Sequence, residues 1–163
     1  MRRPLLRFVL AFMALVAICA AAATAAFARV SPPTTGQKRH VPRTRKLARQ
    51  VVSFARHQIG VFYSWGGTSR STGFDCSGLV YAAYRSIGRT IPRSSWDQRR
   101  AGRAISFRNL LPGDLLFTEG GGHVVLVASR TKAISAPQTG ERVTYVPLAR
   151  LRAEFAGARR LLN

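Results

Sequence analysis

The chain of 163 residues carries 26 Lys and Arg against 6 Asp and Glu, a formal charge of +20. This length holds one folding unit with a short appendage and excludes a multidomain enzyme. At 47% hydrophobic and 9% aromatic it is too apolar for a wholly disordered basic tail, and two cysteines, Cys19 and Cys76, cannot build a disulfide framework or a four-cysteine zinc site.

Arg2, Arg3 and Arg7 precede an uncharged run from Phe8 to Ala28, with small-x-small sites at Ala23-Thr24-Ala25 and Ala26-Phe27-Ala28. These are the parts of a secretory signal, so residues 1–28 are expected to be a signal peptide. A retained anchor is the rival reading, since about 20 apolar residues span a bilayer. The Ala-rich second half suits a cleavage region better. Lipidation at Cys19 is poorly served by the bulky Val16-Ala17-Ile18 before it. Cleavage would leave Cys76 as the single thiol, and an unpaired thiol in an oxidising compartment is either buried or used. Residues 29–46, rich in Pro, Thr and basic side chains, read as an exposed linker that would adhere to an anionic cell envelope.

Leu47, Val51, Phe54 and Ala55 share one helical face and Gly60 supplies a stop, so a helix is expected from Arg45 to Ile59, opening a domain over 47–163. The segment 61–74, broken by Gly66, Gly67 and Gly73, reads as a loop. Asp75 is a natural N-cap for a second helix ended by Gly88, with Cys76 in its first turn. Ser95-x-x-Gln98 fits a capping box for a short third helix. After Pro112-Gly113-Asp114 come short apolar runs at 115–117, 123–128, 132–136 and 142–147, which read as strands. Helices followed by strands predict an α+β domain with an antiparallel sheet. The tail from Leu148 onward is expected to add a last helix.

A cysteine in the first turn of a helix faces unpaired N–H groups and the positive end of the helix dipole, which should lower its pKa from the free value of about 8.5. His123 opens the second of these apolar runs, HVVLV, beside Gly120-Gly121-Gly122, where an imidazole could reach the thiol. Such a pair suits nucleophilic acyl chemistry. Spacing alone leaves the alternative of a small core cysteine and a structural histidine open.

The string Phe74-Asp75-Cys76-Ser77-Gly78-Leu79-Val80 is preceded by Tyr63-Ser64-Trp65-Gly66-Gly67. It is followed by Ile91-Pro92-Arg93-Ser94-Ser95, Leu111-Pro112-Gly113-Asp114-Leu115 and Gly122-His123-Val124. In this order the five elements resemble the NlpC/P60 family of papain-like cysteine peptidases that act on bacterial cell-wall peptides. The resemblance runs from about Ala48 to Val146. It implies a papain-like fold, helices packed on a small antiparallel sheet, with Cys76 as nucleophile and His123 as general base. It also implies Tyr63 near the reacting carbonyl, and Asp75, Ser77 and, near the same pocket, Ser94 and Ser95 in substrate binding. The family's usual bond joins D-glutamate to diaminopimelate in peptidoglycan stem peptides, and no cofactor or metal is implied. His40, His57 and His123 have no ligand-like grouping.

Two departures stand out. The loop from Thr68 to Gly73 is one residue longer than usual. Twelve residues after the histidine, where the family carries a His, Asn or Gln that orients the imidazole, stands Ser135, with Gln138 three residues on as a longer substitute. The expectation is a periplasmic or secreted cysteine endopeptidase whose partners are peptidoglycan peptides, with no stable membrane span after signal cleavage. The alternatives are a catalytically weak wall-binding or regulatory module, suggested by Ser135, and a basic protein that binds anionic polymer or nucleic acid. The last has only charge in its favour, since aromatic-interleaved basic motifs that read bases are lacking, and nucleic acid is not expected as a partner.

Overall fold

The computed structural model of the protein describes residues 43–162. The signal peptide and most of the linker proposed above lie outside the described residues. Among the described residues no helix is long and apolar enough to cross a membrane.

The first helix, α1 (Arg43–His57), buries Val51, Val52 and Ala55. It begins two residues ahead of the expected Arg45, so Arg43 to Lys46 form its first turn. At Gly60 the chain turns with φ +88°. The segment expected to be a plain loop is instead tied down by backbone pairing. Tyr63 N–H donates to Glu141 O at 2.8 Å, Tyr63 bridges Phe74, and Thr68–Ser69 (β1) pairs with Gly73–Phe74 (β2). A side chain at Gly67 would collide with the Gly73 carbonyl, so glycine is needed where the two arms of this hairpin touch.

Helix α2 (Cys76–Arg85) starts as expected at Asp75, whose side chain caps it by accepting from Gly78 N–H at 2.6 Å. It sends Leu79, Val80, Ala83 and Tyr84 into the core. The short α3 (Ser95–Gln98) is capped one residue earlier than its sequence suggested. Ser94, not Ser95, accepts from Asp97 N–H at 3.2 Å, and Gln98 is buried with its amide donating to the carbonyls of Ser77 and Pro92. The serine and acid one register back satisfy the cap and release Gln98 to brace α2.

Six strands make one antiparallel sheet: β3 (Arg103–Ala104), β4 (Leu115–Thr118), β5 (His123–Val127), β6 (Lys132–Ser135), β7 (Thr144–Pro147) and β8 (Gly157–Arg160), in the spatial order β3-β8-β4-β5-β6-β7. Both faces of its centre are covered. Val124 and Leu126 pack with Leu115, Phe117 and Ile134 against the helices, while Val125 and Val127 pack with Leu116, Ala133 and Ala158 beneath Leu110 and Leu148. This two-sided burial explains why the β5 sequence is continuously apolar rather than alternating.

The tail does not form the expected helix. Residues 148–154 are turns, Gly157 takes φ +137°, and β8 fills the edge of β4 with Leu115 opposite Arg159. An open β4 edge would leave backbone groups unpaired, and closing it outweighs the helix propensity of Ala, Leu and Arg. Arg160 fixes the strand by gripping the buried carboxylate of Asp114 through Nε at 2.7 Å and Nη2 at 2.6 Å. Asp114 thereby secures the Pro-Gly-Asp turn, to which Tyr84 also donates through Gly113 O at 2.7 Å.

Candidate active site

Cys76 is the first residue of α2, and α2 packs on β5, whose first residue is His123. The sulfur lies near the start of that strand, close enough to the Val124 backbone N–H for that dipole to favour the thiolate. On β6, register places Ser135 two positions diagonally from His123, a separation that a long side chain bridges. The His123 Nε2 to Ser135 Oγ distance is 2.9 Å. Gln138 points elsewhere, donating to Glu141 on the surface. With Nε2 engaged by Ser135, Nδ1 is the ring nitrogen left without a hydrogen bond among the described residues.

The electrostatics correct the expectation of an acidified cysteine. Burial pushes the Cys76 thiol up, the neighbouring Asp75 carboxylate adds to this, and N–H donors from Val124 and Ser77 only partly compensate. Burial likewise pushes His123 down, opposed by the charges of Glu119 and Glu154. The N-cap carboxylate offsets the helix dipole that the sequence argument relied on. At neutral pH the resting pair is therefore an uncharged thiol and an uncharged imidazole.

Tyr63 is half-buried and close enough to Cys76 that, after burial itself, the charge of Cys76 is the next cause of its raised pKa. Its phenol stays protonated and can donate. The Asp75 carboxylate is fully occupied. It accepts from Gly66 N–H at 2.8 Å, from Gly78 N–H, from the Ser77 hydroxyl at 3.2 Å, and from both Nη atoms of Arg93 at 2.9 and 2.7 Å. Burial alone would raise its pKa, but Arg93 and the two N–H groups together hold it below the ordinary carboxylate range. The Ser77 hydroxyl also accepts from Arg93 at 2.9 Å. Ser95 is buried and donates to Gly122 O at 2.9 Å, fastening the chain just before His123.

Two arginines were missed from the sequence. Arg93 stands inside a quoted motif, but only the fold reveals that it neutralises Asp75. Arg99 donates to Gly120 O at 2.6 Å and to Ala156 O at 2.8 Å, pinning the glycine loop before His123 to the start of β8. Nothing in its sequence position signals this. Among the described residues no cluster of three or more His, Cys, Asp or Glu side chains is placed to hold a metal ion.

The family model described as "NlpC/P60 family" matches residues 60–157. The chain belongs to the NlpC/P60 family. The resemblance read from five short motifs is thereby borne out, as is the α+β fold with helices on an antiparallel sheet. This NlpC/P60 chain is 38% identical over 134 residues to "Peptidoglycan endopeptidase RipB" of Mycobacterium tuberculosis, covering 72% of this chain and 55% of that protein. It is 35% identical to "Murein DD-endopeptidase MepH" of Escherichia coli, covering 76% of this chain and 49% of that one. It is 34% identical over 114 residues to "Gamma-D-glutamyl-L-lysine dipeptidyl-peptidase" of Bacillus subtilis, covering 66% and 38%. The chain thus spans about half the length, or less, of these curated relatives. The solved structure of the RipB hydrolase superposes at TM-score 0.68 with 35% identity, covering 76% of this chain and 69% of that one. An NlpC/P60 protein from Bacillus cereus superposes at TM-score 0.65 with 36% identity, covering 71% and 40%.

Proposed function

We propose that the protein is an exported cysteine endopeptidase that hydrolyses an amide bond in peptidoglycan stem peptides, between D-glutamate and diaminopimelate, through a thioester on Cys76. The observation that carries this reading is the Ser135–His123 contact behind a thiol at the head of α2. The names of the relatives support the substrate class. They also describe more than one bond, so the bond is chosen on the family's usual specificity.

The resting pair being uncharged, His123 Nδ1 takes the thiol proton as sulfur attacks the carbonyl carbon. The developing oxyanion is met by the Cys76 backbone N–H, left without an intrahelical partner at the first helical position, and by the Tyr63 hydroxyl. The imidazolium returns its proton to the departing amine, and the C–N bond breaks. Water, deprotonated by His123, then attacks the thioester, releasing the acid and restoring the thiol. Ser135 accepts from Nε2–H and holds the ring in the tautomer this requires. Export rests on the Phe8–Ala28 run, and adhesion to the envelope on the basic linker after it.

A second reading, a catalytically weak wall-binding module, is favoured by the same contact, because serine carries no charge to stabilise imidazolium. Digestion of purified muropeptides by the wild type and by Cys76→Ala, with products identified by mass spectrometry, decides between them. New fragments ending in D-glutamate, absent with the variant, are expected; intact muropeptides with both proteins would favour the weak module.

A further inference from the structure

At the end of β5 remote from His123, about 13 Å along the strand by its rise per residue, the surface is hollowed by two adjoining cavities of about 660 and 360 Å³. Leu111, Arg130 and Arg160 line both, so they form one continuous cleft. Separate segments supply its cations. Arg45 and Arg49 come from one face of α1, Arg103 from the edge strand β3, and Arg108 from the 3-10 turn Phe107–Asn109. Arg130 sits in the β5–β6 turn and Arg160 at the end of β8.

The single carboxylate lining the cleft, Asp114, is buried and consumed by Arg160. Arg45, Arg49, Arg103, Arg108 and Arg130 are exposed, and their side chains form no ion pair or hydrogen bond among the described residues. Like charges one helical turn apart, as at Arg45 and Arg49, repel and cost stability. A bound polyanion would relieve that repulsion. Guanidinium groups favour oxyanions they can grip with two N–H donors, and phosphoryl oxygens fit this geometry.

We propose that this cleft binds a flexible polymer carrying phosphate groups along its length, independently of the catalytic centre. Several arginines spread over two joined hollows suit repeated charges better than one small ion. The concave shape disfavours a flat bilayer, and Phe107, the one aromatic in the lining, is half-buried against Phe155 rather than presented for base stacking.

The test is a binding titration of the full chain with inorganic polyphosphate at several salt concentrations. The wild type is compared with Arg103→Gln/Arg108→Gln/Arg130→Gln and with the charge-matched control Arg56→Gln/Arg85→Gln/Arg100→Gln, whose residues lie outside the cleft. The basic linker is common to all three proteins, so a difference isolates the cleft. The cleft variant should lose about tenfold or more in affinity and about two units of salt slope, with the control changed far less. Leu111→Glu, which keeps every arginine and places a negative charge where the two cavities meet, should weaken binding similarly. Circular dichroism melting verifies that each variant is folded. Equal losses in the cleft and control variants would overturn the proposal, as would no binding of polyphosphate by the wild type. Equally tight binding of poly-L-glutamate, or cleft-dependent binding of anionic phospholipid vesicles without binding of polyphosphate, would also overturn it.

Discussion

The hydroxyl of Ser135 lies 2.9 Å from Nε2 of His123, twelve residues on from the histidine in the chain. The contact engages Nε2 and leaves Nδ1 as the ring nitrogen without a hydrogen-bond partner among the described residues. Replacing Ser135 by Ala leaves a buried ring N–H unpaired and frees the ring to turn. Ser135→Ala is therefore expected to lower kcat about tenfold with KM little changed, the size of one lost buried hydrogen bond. Steady-state kinetics on a stem peptide checks this; an unchanged kcat would remove Ser135 from the orienting role.

Because burial raises the Cys76 pKa, thiolate is scarce at neutral pH. Alkylation of Cys76 by iodoacetamide should rise about tenfold per pH unit from pH 6 to 8. His123, depressed below its ordinary value of about 6.5, should set an acid limb of kcat/KM below that pH. A plateau in the alkylation rate below pH 7 would instead signal a preformed thiolate–imidazolium pair.

The Asp75–Arg93 pair predicts an effect on acid stability. A carboxyl held below its unfolded value stabilises the fold above about pH 3.9, and this contribution is lost as pH falls through the folded-state value. Arg93→Ala leaves that buried carboxylate without its cation and raises its folded-state pKa. The variant should be destabilised by about 2 kcal/mol at neutral pH, discounted for Arg93 being partly exposed, and should unfold at higher pH on acid titration. Chemical denaturation at neutral and acidic pH reads both effects.

Gly78, in the first turn of α2, lies against the Gly67 carbonyl, and a Cβ there would also sit 2.9 Å from Asp75 Oδ1. Gly78→Ala should cost about 2 kcal/mol or more by forcing the helix away from the hairpin, and should reduce activity because Cys76 moves with the helix. Gly88→Ala tests another helix-end glycine; nothing lies within 4 Å of its added Cβ, though its φ of +74° carries a backbone strain of its own. Thermal melts of the two variants separate collision from strain.

Local signals made much of the fold legible. Asp75 as a cap, the apolar face of α1 and the short apolar runs each depend on neighbours in sequence. The final strand was not legible, because its residues favour helix and only the empty edge of β4 selects the extended form. Ser135 could be found only by its spacing from His123, and its contact only through the β5–β6 register. The direction of the Cys76 pKa was misread because the helix dipole is a local property, whereas burial and the charge of a fully engaged Asp75 belong to the assembled fold. Arg93 and Arg99 act on partners 18 and 21 residues away in sequence, beyond any local pattern.

Cys76 and His123 are proposed to act as nucleophile and base on a stem-peptide amide. The most direct measurement is the rate of amine release from a purified stem peptide by the wild type, Cys76→Ala and His123→Ala at neutral pH, each shown to be folded. Steady release by the wild type and none above background by either variant is expected. Release by Cys76→Ala at the wild-type rate would contradict these roles.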